Sequence, residues 1–248
     1  MKIWHYLILI AVAVLLVGSF FLPNAVAGVT DSKRLENLIM VDSQSISFDS
    51  APELDLPERL TLIANPNTEI LPLKTGNAMD ADAAKLRINQ ELERLFLGSP
   101  FQFDFRGHTV EESVASLVID SKVPTHNMIV WELVLIDSSE NSVTATLDDE
   151  TGLILKLIYK LGNKGNAIIV TGSSDDAFYS AAQSLAEMMK KYYGFPVTLA
   201  DYEYSKKLAY YRADLFGGGR VIPMYGAVRA SSFTINERGG RRQSAEDR

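Results

Sequence analysis

The spacing of apolar residues changes repeatedly along this chain. From Ile3 to Leu22 nearly every position is apolar and none is formally charged. As a helix, such a run of 20 residues spans about 30 Å, the thickness of a bilayer's hydrocarbon core. From residue 39 to 161 the pattern shifts to short runs of period two, interrupted by one long helical stretch. Alternation predicts strands over 39–49, 59–64, 128–136, 142–147 and 153–159, the last three forming a meander. Residues 70–73 make an edge strand, because Pro72 has no amide to donate. Asp49 to Pro57, rich in acids and proline, reads as loop. Residues 79–97 form an amphipathic helix opened by Asp80 or Asp82. Its apolar stripe takes Leu86, Ile88, Leu92, Leu95 and Phe96, and its polar side takes Lys85, Arg87, Gln90, Glu91 and Arg94. Phe101, Phe103 and Phe105 alternate and share one strand face. Residues 110–119 have two readings. Thr109 and Glu112 make a capping box for a helix, while Val114, Val118 and Ile119 favour a strand.

After Gly162–Gly165 the order repeats. A strand at 167–170 precedes a helix that starts at Ser173, Ser174 or Asp175 and runs to Tyr193. Phe178, Ala181, Leu185 and Met188 fall on one face of it, with Glu187, Lys190 and Lys191 towards solvent. Strands at 197–204, 208–215, 220–225 and 227–235 follow, with Gly217-Gly218-Gly219 as a turn. The fold class is α+β: an N-terminal membrane helix followed by two helix-plus-antiparallel-sheet units. The divisions are 1–27 (transmembrane anchor or signal peptide), 28–38 (stalk), 39–161, 166–236, and 237–248 (disordered tail).

The apolar N-terminus has two fates. Lys2 precedes it, and Ala25-Val26-Ala27 fits a signal-peptidase site with cleavage after Ala27. Uncleaved, residues 3–22 anchor the chain in a membrane as a single span. Either fate puts residues 28–248 outside the cytoplasm. The basic bias is weak, since Lys33 and Arg34 follow the span closely.

Charge narrows the partners. The chain carries 24 basic and 31 acidic side chains, net -7. Nucleic acid is not expected as a partner of so acidic a chain. There is no cysteine, which removes disulfides, thiol catalysis and thiolate metal sites.

Candidate chemistry is sparse, and no cofactor or metal is expected. Of three histidines, His5 lies in the apolar segment. His108 and His126 would need a carboxylate such as Asp104 and convergent loops to hold zinc. Asp148, Asp149 and Glu150 could hold calcium, but their spacing suits a hairpin turn better than a calcium loop. Ser173-Ser174-Asp175-Asp176 caps a helix with acids, which disfavours phosphate. The three glycines at 217–219 lack the following Lys-Ser or Lys-Thr of a phosphate loop. Tyr202, Tyr204, Tyr210, Tyr211 and Tyr225, with Phe195 and Phe216, make the C-terminal half aromatic. Tyrosine suits a binding surface or the border of a sheet's core.

The run Asn141-Ser142-Val143-Thr144-Ala145-Thr146-Leu147-Asp148-Asp149-Glu150-Thr151-Gly152-Leu153-Ile154-Leu155 resembles the hairpin of PepSY-type domains, in which a strand ends in an acidic Thr-Gly turn. The layout is also similar to single-pass accessory proteins of Gram-positive bacteria. That resemblance implies regulation through protein contacts and assigns no residue. The resulting expectation is a membrane-anchored extracytoplasmic protein with a non-enzymatic regulatory or scaffolding role. The alternatives are an envelope hydrolase with carboxylates or serines assembled by the fold, and a secreted small-ligand binder.

Overall fold

Asp55-Leu56-Pro57-Glu58 sets the first described helix. In this computed structural model, residues 54–101, 107–162, 170 and 174–236 are described. The chain divides into two compact units, 1–40 and 41–248, and every described residue belongs to the second. The expectations for residues 3–22, cleavage after Ala27, the stalk, the strands at 39–49 and 167–169, Phe103, Phe105, Ser173 and the tail lie outside the described residues. Among those described, no helix is long and apolar enough to cross a membrane.

Helix α1 (Leu56–Ala64) corrects the strand expected at 59–64. The Asp55 side chain accepts a hydrogen bond from Glu58 N at 2.8 Å, and Glu58 Oε2 accepts from Asp55 N at 3.1 Å. Pro57 occupies the first turn, where its missing amide proton costs nothing. Strand β1 (Thr68–Leu73) is an edge strand as expected. Helix α2 (Ala81–Phe96) is capped by Asp80, whose carboxylate accepts from Ala83 N at 2.8 Å. Two of its positions depart from the expected stripe. Leu86 is exposed, and Glu91 is buried, with 2% of its surface exposed.

Residues 109–120 form strand β2 (Thr109–Asp120), and the helical reading is set aside. Its backbone is paired on both sides, and Thr109 Oγ1 donates to Ile136 O at 3.2 Å rather than capping a helix. The meander follows as expected: β3 (Asn127–Ile136), β4 (Ser142–Asp148) and β5 (Ile154–Lys160). Helix α3 (Asp175–Tyr193) begins at the Ser174 cap and stops at Gly194. With φ 74°, that glycine adopts the left-handed turn that closes a helix without a Cβ penalty. Strands β6 (Val197–Ser205), β7 (Leu208–Gly217), β8 (Arg220–Arg229) and β9 (Ser232–Ile235) complete the described chain.

The nine strands among the described residues join one antiparallel sheet in the order β1-β2-β3-β4-β5-β9-β8-β7-β6. The two expected helix-plus-sheet units therefore share a sheet. Their junction is the four-residue strand β9, which pairs with Leu157–Lys160 of β5 and with Val228 and Arg229 of β8. Helix α1 packs against β8, β5 and β2, beside the stretch that β9 does not span. At the end of β9, buried Asn236 donates from Nδ2 to Leu60 O at 3.1 Å and Leu155 O at 3.0 Å. One side chain thus ties the sheet junction to α1.

Helices α2 and α3 lie on one side of the sheet and touch each other. This helix side holds the core: Leu133, Leu135, Val143, Ala145, Leu147, Leu157, Ala213 and Leu215 are fully buried. Phe233 joins the halves, with its ring 5.6 Å from Tyr159 and 6.0 Å from Phe96. On α3, Phe178, Ala181, Leu185 and Met188 are buried as their spacing requires, while Glu187, Lys190 and Lys191 are exposed. Replacing Leu185 with alanine should cost about 3 kcal/mol, since the residue is fully buried and leaves a cavity. Lys190→Ala should stay within about 0.5 kcal/mol. Urea unfolding of the two variants checks the difference, and equal small effects would show that α3 does not anchor the sheet.

Candidate binding surface

The acidic turn between β4 and β5 ties α1 and α2 to the sheet, and α3 bonds to Ile154 at the start of β5. Asp148 is fully buried, and its Oδ1 accepts from Arg59 NH1 at 2.8 Å. Arg59, itself 4% exposed, also donates to Glu150 and, from Nε, to Leu54 O at 2.8 Å. Burial alone would lower the Arg59 pKa, but Glu150 and Asp148 outweigh it and hold the guanidinium charged. Thr151 donates to the second oxygen of Asp148 from both N and Oγ1.

Asp149 faces the opposite way and binds the loop before α2. Its Oδ2 accepts from Asn77 N at 2.8 Å and Ala78 N at 2.7 Å. Its Oδ1 accepts from Met79 N at 3.1 Å and Trp131 Nε1 at 2.8 Å. Gly76 makes the approach possible, because a Cβ there would sit 2.0 Å from Asp149 Oδ1. Beyond the turn, Arg87 of α2 donates to Gly152 O at 3.3 Å. Tyr192 of α3 accepts from Ile154 N at 2.8 Å and donates to Glu91 Oε2 at 2.6 Å. Glu91 also receives Arg87 NH2 at 2.9 Å. Burial and then the Glu91 acceptor push the Tyr192 phenol far above its ordinary range, so it stays neutral and donates.

These bonds decide what the carboxylates can do. Asp148 and Glu150 share one arginine, and Asp149 and Glu91 have each of their oxygens hydrogen-bonded within the fold. Such groups organise structure rather than move protons for a substrate. The histidines do not converge either. His108 precedes β2 and His126 follows it, and a strand of twelve residues separates them by roughly 40 Å. Among the described residues, no cluster of three or more His, Asp or Glu side chains is placed to hold a metal ion.

The sheet register divides the five candidate tyrosines between two faces. Tyr202 pairs with Tyr211 and Tyr204 with Ala209, so Tyr202, Tyr204 and Tyr211 point to the helix side. Tyr202 donates to Asp175 Oδ1 at 2.8 Å and meets the Tyr179 ring edge-on at 5.2 Å. Burial and the Asp175 acceptor raise its pKa. The Tyr204 ring packs 5.1 Å from Phe178. Tyr211 is buried, donates to Thr234 O at 2.7 Å, and lies where a side chain at Gly226 would clash. These three belong to the core and its border.

Tyr210 and Tyr225 point the other way. Tyr210 pairs with Ala227, Tyr225 with Arg212, and Phe216 with Val221. Ile158 continues the same face through Thr234. All are half-buried or exposed, with Phe216 at 42% and Val221 at 53%. Among the described elements, α1 alone reaches this open side; it packs across β8, β5 and β2, and Ile63 sits with Val118 and Val130. The rest is a broad face on which aromatic, aliphatic and hydroxyl side chains alternate with charged ones such as Lys160, Arg229 and the Arg212–Asp214 pair. Phe216 was visible in the sequence as an aromatic residue, but Ile158 and Val221 look like ordinary strand positions without the register. On the helix side, a groove of about 230 Å³ separates Leu97 and Pro100 from Ser184, Met188 and Lys191 of α3. It is open to solvent and is not the enclosed apolar cavity a small-ligand binder needs.

Compared with protein-family models, curated proteins and solved structures, the chain gives no significant match.

Proposed function

We propose that this protein is a membrane-anchored, extracytoplasmic contact protein that acts by docking rather than by catalysis. Residues 3–22 hold it to the membrane, and the open side of the sheet, around Tyr210 and Tyr225, receives a regulatory or scaffolding partner. One observation carries the reading: a sheet face with exposed aromatic and aliphatic side chains bears no helix except α1 among the described residues, while the opposite face is packed under α2 and α3. Contiguous exposed apolar side chains rimmed by polar ones mark interaction sites. The resemblance of residues 141–155 to a PepSY-type hairpin supports an envelope setting. The buried carboxylates, each committed to structural bonds, weigh against the hydrolase.

Photo-crosslinking in intact cells tests the docking face. A benzophenone amino acid at Tyr210 or Tyr225 should give a discrete adduct, and the same group at Lys190 on α3 should not. Adducts of equal yield at all three positions, or none at 210 and 225, would defeat the proposal. Membrane fractionation tests the anchor. The full-length chain should sediment with membranes and resist high salt, whereas a mature N-terminus at Gly28 and protein free in the medium would mean a secreted chain.

A further inference from the structure

The charges on the open side are not distributed like those of the whole chain. Strands β5, β9 and β8 place Lys156, Ile158, Lys160, Ser232, Thr234, Val221, Pro223, Tyr225, Ala227 and Arg229 there by pairing and alternation. No carboxylate is among them. Lys160, Ser232 and Arg229 fall in one row across three neighbouring strands. Lys156 lies four residues before Lys160 on β5, about 13 Å along the strand. None of these three cations makes an ion pair or side-chain hydrogen bond among the described residues. By contrast Arg212, one strand further out on the same side, is paired to Asp214 at 3.0 Å.

Acids flank this basic centre. Glu132 on β3 lies in the row of Lys156, two strands away through Thr146. Glu203 on β6 lies in the row of Tyr210 and Ala227. In a protein of net charge -7, Lys160 and Arg229, with no ion-pair partner among the described residues, and Lys156, which shares its row with Glu132, form a local excess of positive charge.

We infer that the open side docks an acidic, extended polypeptide segment of a partner protein, laid along β5, β9 and β8. Its carboxylates meet Lys156, Lys160 and Arg229, and its apolar or aromatic side chains rest on Ile158, Ala227, Tyr225 and Tyr210. Glu132 on β3 repels the segment on that side and favours its alignment with β5, β9 and β8. The aromatic component favours a polypeptide over a bare polyanion, which would need the cations alone. This inference rests on the contact reading above and adds the chemistry of the partner.

The test uses the purified full chain in detergent and a fluorescein-labelled peptide of alternating glutamate and tyrosine. Fluorescence anisotropy at low salt should show saturable binding. The double variant Lys160→Glu with Arg229→Glu should weaken it by about tenfold or more, and Tyr210→Ala by a smaller factor. Lys122→Glu, an exposed charge in the β2–β3 turn, should leave it unchanged. Near-ultraviolet circular dichroism confirms that each variant is folded, and Lys160→Gln with Arg229→Gln provides a milder pair. Binding unaffected by either double variant, or weakened equally by Lys122→Glu, overturns the inference. So does tighter binding of inorganic polyphosphate that ignores Tyr210→Ala, which would mark a polyanion surface. The cellular adducts separate the two levels. If crosslinks at Tyr225 persist in the double charge variant, the docking face stands and the acidic partner falls. If they never form in the unaltered chain, the docking face itself falls.

Discussion

Asp149→Ala should destabilise the protein by roughly 4 kcal/mol. The carboxylate accepts four hydrogen bonds, three from the backbone of residues 77–79 and one from the Trp131 indole. Hydrogen bonds to a charged acceptor contribute about 1.5–3 kcal/mol each, and their losses do not add fully. Asn77 and Ala78 are exposed enough for their amides to recover water. The indole is 2% exposed and is left unpaired. The loop before α2 would then lose its attachment to the β4–β5 turn. Trp4 and Trp131 are the two tryptophans of the chain, so a Trp4→Phe background makes fluorescence report on Trp131 alone. The expected result is a lower urea midpoint together with altered Trp131 emission. Glu150→Ala is the control. That side chain is 57% exposed, so its ion pair with Arg59 contributes at most about 1 kcal/mol. A loss at Asp149 no larger than at Glu150 would show that the turn does not organise the helices.

Arg59→Leu should cost about 3–5 kcal/mol, because it leaves Asp148 charged, fully buried and without its counter-ion. The Thr151 bonds remain but supply no positive charge. Replacing both partners separates the pair from its surroundings. Arg59→Leu with Asp148→Asn should recover a substantial part of the loss, since buried ion pairs often contribute little net stability once neither charge remains. Chemical denaturation of the two single variants and the double variant gives the coupling energy. Additive losses would mean that the two side chains are energetically independent despite their 2.8 Å contact.

The elements that local periodicity could identify were legible. Helix α3 shows steps of three and four, a Ser174 cap and a Gly194 stop within its own sequence. The meander β3–β5 shows period two with turn residues between the strands. Helix α1 carries a local signal in Asp55 and Glu58 at capping-box spacing, which the strand expected at 59–64 passes over. The apolar run Leu60-Thr61-Leu62-Ile63 and the preceding proline drew the reading towards a loop and a short strand. Strand β2 was ambiguous because Ala115–Val118 are buried at consecutive positions and a bulge between Val110 and Glu112 breaks the alternation. A strand covered on both faces loses its period-two signature.

The candidate surface was only half legible. Tyrosines 202 and 204 share a face, and strand alternation alone shows it. Whether Tyr210 and Tyr225 share that face depends on register, which the bulge between Leu199 and Asp201 shifts. A one-residue slip moves every side chain of a strand to the other side. Burial of Glu91 on the polar side of α2 likewise follows from Tyr192, which is 101 residues away.

The sequence alone therefore determined the α+β class, the extents of α2, α3 and the meander, the edge position of β1 and the acidic turn. Interactions between residues three or four apart on a helix, or two apart on a strand, suffice for these. Only the tertiary structure decided that β9 joins the two halves into one sheet, that the turn at 148–152 holds α1 and α2 while α3 bonds to Ile154 just after it, and which tyrosines face outward. Each of these depends on pairing between residues far apart in the chain, where closing the intervening loop is offset by burial and hydrogen bonding that no local pattern records.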